Sequence, residues 1–115
     1  AQQMNETAAS VPNGVSEFTL AGLDPAPSRL VKPPRVADAI ASMECKLCQV
    51  LPLKDHKGQA VQSWVTIGEV VGIHINERFI KDGLFDITAA RALARCGYKG
   101  DYIEVTEVFE MIRPS

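Results

Sequence analysis

The sequence predicts a small, mainly-β domain with one short helix, its sheet completed by pairing with another copy of the chain. Three observations predict this. Apolar residues alternate with polar ones through 43–53, 63–75 and 102–111, the period-2 signature of strands. Four of the seven prolines fall within 24–35, where fixed φ and missing donors exclude a helix or a central strand. A single helix start signal, Asp86, is matched by a glycine stop signal at Gly97.

The elements follow in chain order. Residues 1–14 are small and polar and close on Val11-Pro12-Asn13-Gly14, which reads as a flexible, frayed helical end running into a turn. The mildly apolar stretch Glu17–Leu23 is stopped by Asp24-Pro25-Ala26-Pro27. Residues 24–35 then form a stiff, Pro-rich arm that crosses a surface. Residues 43–53 make a partly alternating strand, and Asp55-His56-Lys57-Gly58 a hairpin-like polar turn.

The strongest strand covers 63–75. One face carries Val65, Ile67, Glu69, Val71, Ile73 and Ile75; the other carries Trp64, Thr66, Gly68, Val70, Gly72 and His74. Two glycines on one face fit a sharp bend or a close approach by a ligand or backbone. A short helix is expected over 86–95. A last strand over 102–111 turns Ile103, Val105, Phe109 and Met111 inward, with Glu107 interrupting. These strands are too few to close a barrel, and their long apolar edges invite pairing, so a dimer or higher homo-oligomer is expected.

Bulk properties exclude several classes. At 115 residues the chain has room for one domain and not for two compact ones. A hydrophobic content of 46% with 23% charged residues is globular composition. A net charge of -2 with scattered basic residues argues against a nucleic-acid surface. No run approaches the roughly 18 apolar residues of a membrane span, and no signal peptide is recognisable, so a cytoplasmic location is expected. Three cysteines without repeated spacing suit a reducing compartment. The chain begins Ala1-Gln2-Gln3-Met4, which points to a processed or cut polypeptide, or to a natural start at Met4 behind a short remnant.

Candidate chemistry is sparse. Cys45 and Cys48 lie three apart on a strand, so their thiols point to opposite faces and cannot share a metal; no second Cys/His pair completes a zinc set. They read as small structural hydrophobes. His74, on the glycine-bearing face, is a weak candidate for acid–base or ligand-contact work, beside the plainer reading of a hydrogen-bonded strand end. Glu69, if buried, needs Lys46 or Arg95 as partner or takes up a proton. The richest stretch is Arg95-Cys96-Gly97-Tyr98-Lys99-Gly100-Asp101-Tyr102. Its glycines let backbone approach a ligand and its tyrosines suit a planar heterocycle. The same residues also make a tight turn capping a strand. No nucleophile triad, phosphate loop or dinucleotide fingerprint is present, so any catalysis would rely on a cofactor.

The ordered series Glu17-Phe18…Ala21-Gly22-Leu23…Pro25…Pro27-Ser28, Lys32-Pro33-Pro34-Arg35-Val36, Met43-Glu44-Cys45-Lys46, Ile67-Gly68-Glu69-Val70-Val71…His74-Ile75 and Arg95-Cys96-Gly97-Tyr98…Gly100-Asp101-Tyr102 resembles the flavin reductase-like family. These are FMN-binding split-barrel proteins that include the reductase partners of two-component monooxygenases. The resemblance covers residues 2–114 and corresponds to the C-terminal half of the family's domain. It implies a partial split β-barrel of Greek-key character over 1–115. It implies an FMN-dependent oxidoreductase lineage, with hydride transfer from NAD(P)H to flavin and a possible monooxygenase recipient. It also implies that Arg95, Gly97, Tyr98 and Tyr102 lie nearest a flavin or a dimer contact. The family's phosphate ligands have no counterpart here, because the positions that carry them lie in the other half. The alternative function is a non-catalytic, oligomeric β-protein derived from that family.

Overall fold

The computed structural model describes all 115 residues. It is mainly β, with two short helices, α1 (Gln2–Glu6) and α2 (Glu17–Leu20), and four two-stranded sheets. No barrel closes within the chain. The chain forms two compact units, one of residues 24–74 and one of residues 1–23 with 75–115.

The 24–74 unit is built on a long hairpin of β3 (Ala41–Lys54) and β4 (Ala60–Ile75). Both strands outrun their sequence expectations of 43–53 and 63–75. The expected turn joins them: the Asp55 amide donates to the Gln59 carbonyl at 2.8 Å, and Asp55 Oδ1 accepts from the Lys57 and Gln59 amides, each at 2.9 Å. An aspartate that satisfies the turn amides with its own side chain stabilises this geometry locally. The Pro-rich arm includes a minimal ladder, β1 (Pro25–Ala26) against β2 (Arg35–Val36). The Ser28 hydroxyl donates to the Pro33 carbonyl at 2.6 Å, closing the loop between them.

The hairpin has little covering on either face. Met43, Leu47 and Trp64 are 67%, 66% and 62% exposed, and Val65, Ile67 and Val70 are exposed as well. Cys45 and Cys48 are exposed, which corrects the reading of them as buried hydrophobes: alternation assigns faces, but nothing in this unit is stacked against those faces. Glu69 is likewise exposed and needs no ion partner.

In the other unit, Asn76 caps a 3₁₀ turn (Glu77–Phe79) by accepting from the Arg78 amide. A hairpin follows, β5 (Ile80–Lys81) with β6 (Leu84–Phe85), turned by Asp82-Gly83 with φ of 51° and 79°. Two successive positive φ values match the primed turns that suit the twist of a hairpin.

The helix expected over 86–95 does not form. Its start signal works: Asp86 Oδ1 accepts from the Ala89 amide (2.9 Å), the Thr88 amide and the Thr88 hydroxyl, and the Ala90 amide reaches the Asp86 carbonyl at 3.0 Å. These bonds, led by Ala89 and then the Thr88 hydroxyl, hold the Asp86 carboxyl below its ordinary value. One turn later Arg91 takes φ +49° and the chain leaves the helix. Residues 93–95 become β7, paired with β8 (Tyr102–Glu104). The Arg91 guanidinium pairs with the Glu104 carboxylate, and the Val105 amide donates to the Ala92 carbonyl at 2.8 Å. A short isolated helix is marginal, so cross-strand bonding overrides the local signal. The expected strand over 102–111 is paired only at 102–104. Val108, Phe109, Met111 and Ile112 meet no neighbouring strand and are 64–89% exposed.

Candidate functional site

Within the 24–74 unit, one buried carboxylate organises its surroundings. Glu44, only 3% exposed, projects from β3 toward the arm. Its Oε1 accepts from the Arg29 amide at 2.8 Å, and its Oε2 from the Leu30 amide at 2.6 Å. His74 Nε2, from the far end of β4, lies 2.5 Å from Oε1. The arm is thereby latched to the hairpin by side-chain bonds. The Arg29 amide first, then the His74 ring and the Leu30 amide, lower the Glu44 pKa to about 2 against the opposing effect of burial.

Gly72 makes this approach possible. A Cβ there would meet Leu30 Cδ1 at 3.3 Å and the Glu44 side chain at 3.6 Å, which is why the arm settles where β4 lacks a side chain. Arg29, Leu30, Glu44, Gly72, Ile73 and His74 line a cavity of about 310 Å³, at the small end of ligand pockets.

Thus His74 sits on the glycine-bearing face, and beside it stands Glu44, whose role the sequence reading missed. A signal was present: Glu44 is the one acidic residue in Met43–Leu53, and a lone carboxylate in a strand facing a polar strand end is a candidate for pairing.

The corner at 95–102, in the other unit, is a closed turn between β7 and β8. The Cys96 amide donates to the Asp101 carbonyl and the Asp101 amide to the Tyr98 carbonyl, both at 3.0 Å. The Tyr98 amide donates to Asp101 Oδ2 at 3.1 Å. Gly97 has φ +61°, and a Cβ there would sit 3.0 Å from that same oxygen, so this position demands glycine. Arg95 and Tyr102 are directly paired across the ladder. Tyr98 is 86% exposed and Tyr102 41%. The corner therefore brings Arg95, Gly97, Tyr98 and Tyr102 into one short hairpin.

These groups suit one end of a flavin better than the other. The open tyrosine rings can take a planar ring system. A phosphate at the turn would instead meet the Asp101 carboxylate, which already holds the Tyr98 amide. In the 24–74 unit, Arg35 Nε is buried with no partner, and it is the one orphaned side-chain donor in the molecule. The corner accordingly fits the flavin ring and supplies no phosphate cradle. The three cysteines are unpaired, and no three His, Cys, Asp or Glu side chains converge as a metal site. No helix is long and apolar enough to cross a membrane.

Comparison with known proteins agrees with this architecture. Residues 1–92 match the flavin reductase like domain. Component B of nitrilotriacetate monooxygenase from Bacillus cereus superposes with a TM-score of 0.83 at 31% identity, over 95% of this chain and 53% of that one. A flavin reductase with a split barrel domain from Shewanella frigidimarina shares the fold, with a TM-score of 0.78 at 22% identity over 97% of this chain and 54% of that one. An uncharacterized protein of Deinococcus radiodurans is 30% identical over 113 residues, 96% of this chain and 47% of its own length. The chain belongs to the flavin reductase-like family, and its fold is that of the split-barrel proteins. It spans about half the length of the curated relatives it matches.

Proposed function

We propose that this chain is part of an FMN-dependent NAD(P)H:flavin oxidoreductase that serves a monooxygenase. The observation that carries this reading is the 31% identity, over nearly the whole chain, to a protein described as a monooxygenase component B. A bound flavin supplies the hydride-accepting chemistry; the polypeptide's share is binding, orientation and exclusion of water. In this reading Tyr98 and Tyr102 offer their rings to the flavin, Gly97 lets the backbone approach it, and Arg95 adds a cation beside them. The phosphate is held by residues outside the corner. His74 is the candidate for contact with the reacting partner. The protein is cytoplasmic and works as a dimer.

A second reading, a non-catalytic oligomeric β-protein of the same descent, is favoured by the uncovered hairpin, where Met43, Leu47 and Trp64 lie open.

The test is an FMN titration of the 115-residue chain by fluorescence quenching, with light scattering on the same sample. Micromolar binding by a dimer, followed by flavin-dependent NADH or NADPH oxidation, supports the oxidoreductase. A folded oligomer that ignores FMN supports the second reading. Tyr98→Ala distinguishes roles for the corner: about tenfold weaker FMN binding is expected from the lost stacking, whereas a changed oligomer size with unchanged binding makes the corner an interface.

A further inference from the structure

The cavity between the arm and the hairpin has a defined hydrogen-bond polarity. An ionised carboxylate only accepts, so the His74 nitrogen lying 2.5 Å from Glu44 Oε1 must carry the hydrogen. In the neutral ring that leaves Nδ1 as an acceptor. The ring's hydrogen bond runs through Nε2, and the side chain is 24% exposed, so Nδ1 is open to the cavity. Glu44 acts here as a positioning residue: it sets the tautomer and ring orientation in the way that outer-shell carboxylates hold working histidines.

The remaining lining sharpens the choice of ligand. Arg29 lines the same cavity, and its guanidinium donates but cannot accept. Leu30, Gly72 and Ile73 supply apolar walls. Glu44 is satisfied by three donors, so a cation gains little from it, and its charge disfavours an anion. An acceptor and a donor set in an apolar-walled space of about 310 Å³ match a planar group with adjacent N–H and C=O.

We propose that this cavity binds a planar amide or imide edge, with His74 Nδ1 accepting the ligand's N–H and Arg29 donating to its carbonyl. Two molecules of the proposed reaction carry that edge, the nicotinamide carboxamide and the flavin imide. The choice of these two sources rests on the oxidoreductase reading, whereas the edge itself rests on the cavity.

The experiment is a titration of the labelled chain, reading the His74 ring nitrogens by long-range ¹H–¹⁵N NMR. N-methylnicotinamide is added in one arm and riboflavin in the other. A saturable shift at Nδ1 is expected in one arm, and that arm identifies the source. His74→Gln retains an amide N–H for Glu44 and removes the acceptor at Nδ1. It is expected to weaken probe binding about tenfold, the factor for one hydrogen bond, while leaving the Arg29 and Leu30 amide shifts in place. No saturable shift in either arm overturns the proposal, as does wild-type affinity in His74→Gln. If that variant disturbs the arm amides, the wild-type Nδ1 shift decides alone. FMN quenching with Nδ1 undisturbed by either probe overturns this inference only. An Nδ1 shift with N-methylnicotinamide in a chain that ignores FMN overturns the flavin-binding reading only.

Discussion

Replacing Glu44 with glutamine tests the latch most directly. The carboxylate serves three donors with two oxygens: Oε1 takes the Arg29 amide and His74, and Oε2 takes the Leu30 amide. Glutamine has one acceptor oxygen. Set where Oε1 lies, it keeps Arg29 and His74 and turns its own NH₂ toward the Leu30 amide, donor against donor. The expected result is asymmetric. The Leu30 amide loses about tenfold in hydrogen-exchange protection, the factor for one typical hydrogen bond, while the Arg29 amide changes less. The wild type also carries a pH signature. Because the folded chain holds the Glu44 pKa at about 2 rather than 4.5, the latch contributes fully above pH 4.5 and loses its contribution as pH falls toward 2. Glu44→Gln has no such window. The assay is amide exchange of the arm, followed by NMR across that pH range in both proteins. Equal protection of Leu30 in the two proteins, or a wild-type arm transition centred near pH 4.5, refutes the latch.

Two further substitutions probe the hairpin. Gly68→Ala sets a Cβ 3.3 Å from Cys45 Cβ and 3.4 Å from the Lys46 carbonyl oxygen, so a loss of about 1 kcal/mol is expected from overpacking. Gly72→Ala meets first a rotatable methyl of Leu30 and is expected to cost less; thermal melts of the pair check the order, and equal losses contradict it. Asp55→Ala removes the acceptor for the Lys57 and Gln59 amides and is expected to cost about 1 kcal/mol in urea denaturation, with unchanged FMN binding.

Local signals were read correctly where local bonding decides the outcome. The Asp55–Gly58 turn, the hairpin strands around it and the capping action of Asp86 all depend on neighbours within a few residues. The Asp82-Gly83 turn was equally legible, as an Asp-Gly pair is a strong short hairpin signal, but it went unread beside the longer patterns. The failures lie where two distant segments compete for one stretch. Residues 93–95 carry helix-compatible alanine and leucine, yet their amides find Tyr102–Glu104. Residues 106–111 alternate as a strand should, and no partner strand meets them. Alternation states which residues share a face and says nothing about whether that face is covered, which is why Cys45, Cys48 and Glu69 were read as enclosed.

By itself the sequence determined the mainly-β class, the Pro-rich arm, the hairpin turn and the family, because each is written in residue types at short spacing or in an ordered series along the chain. Only the tertiary structure decided that Glu44 reaches across to His74, 30 residues away, and to the arm amides 14 and 15 residues back. Strand periodicity places a side chain on one of two faces. Which carboxylate is enclosed, and which donors converge on it, depends on the register of β3 against β4 and on where Gly72 lets the arm descend, and neither is encoded by any local pattern.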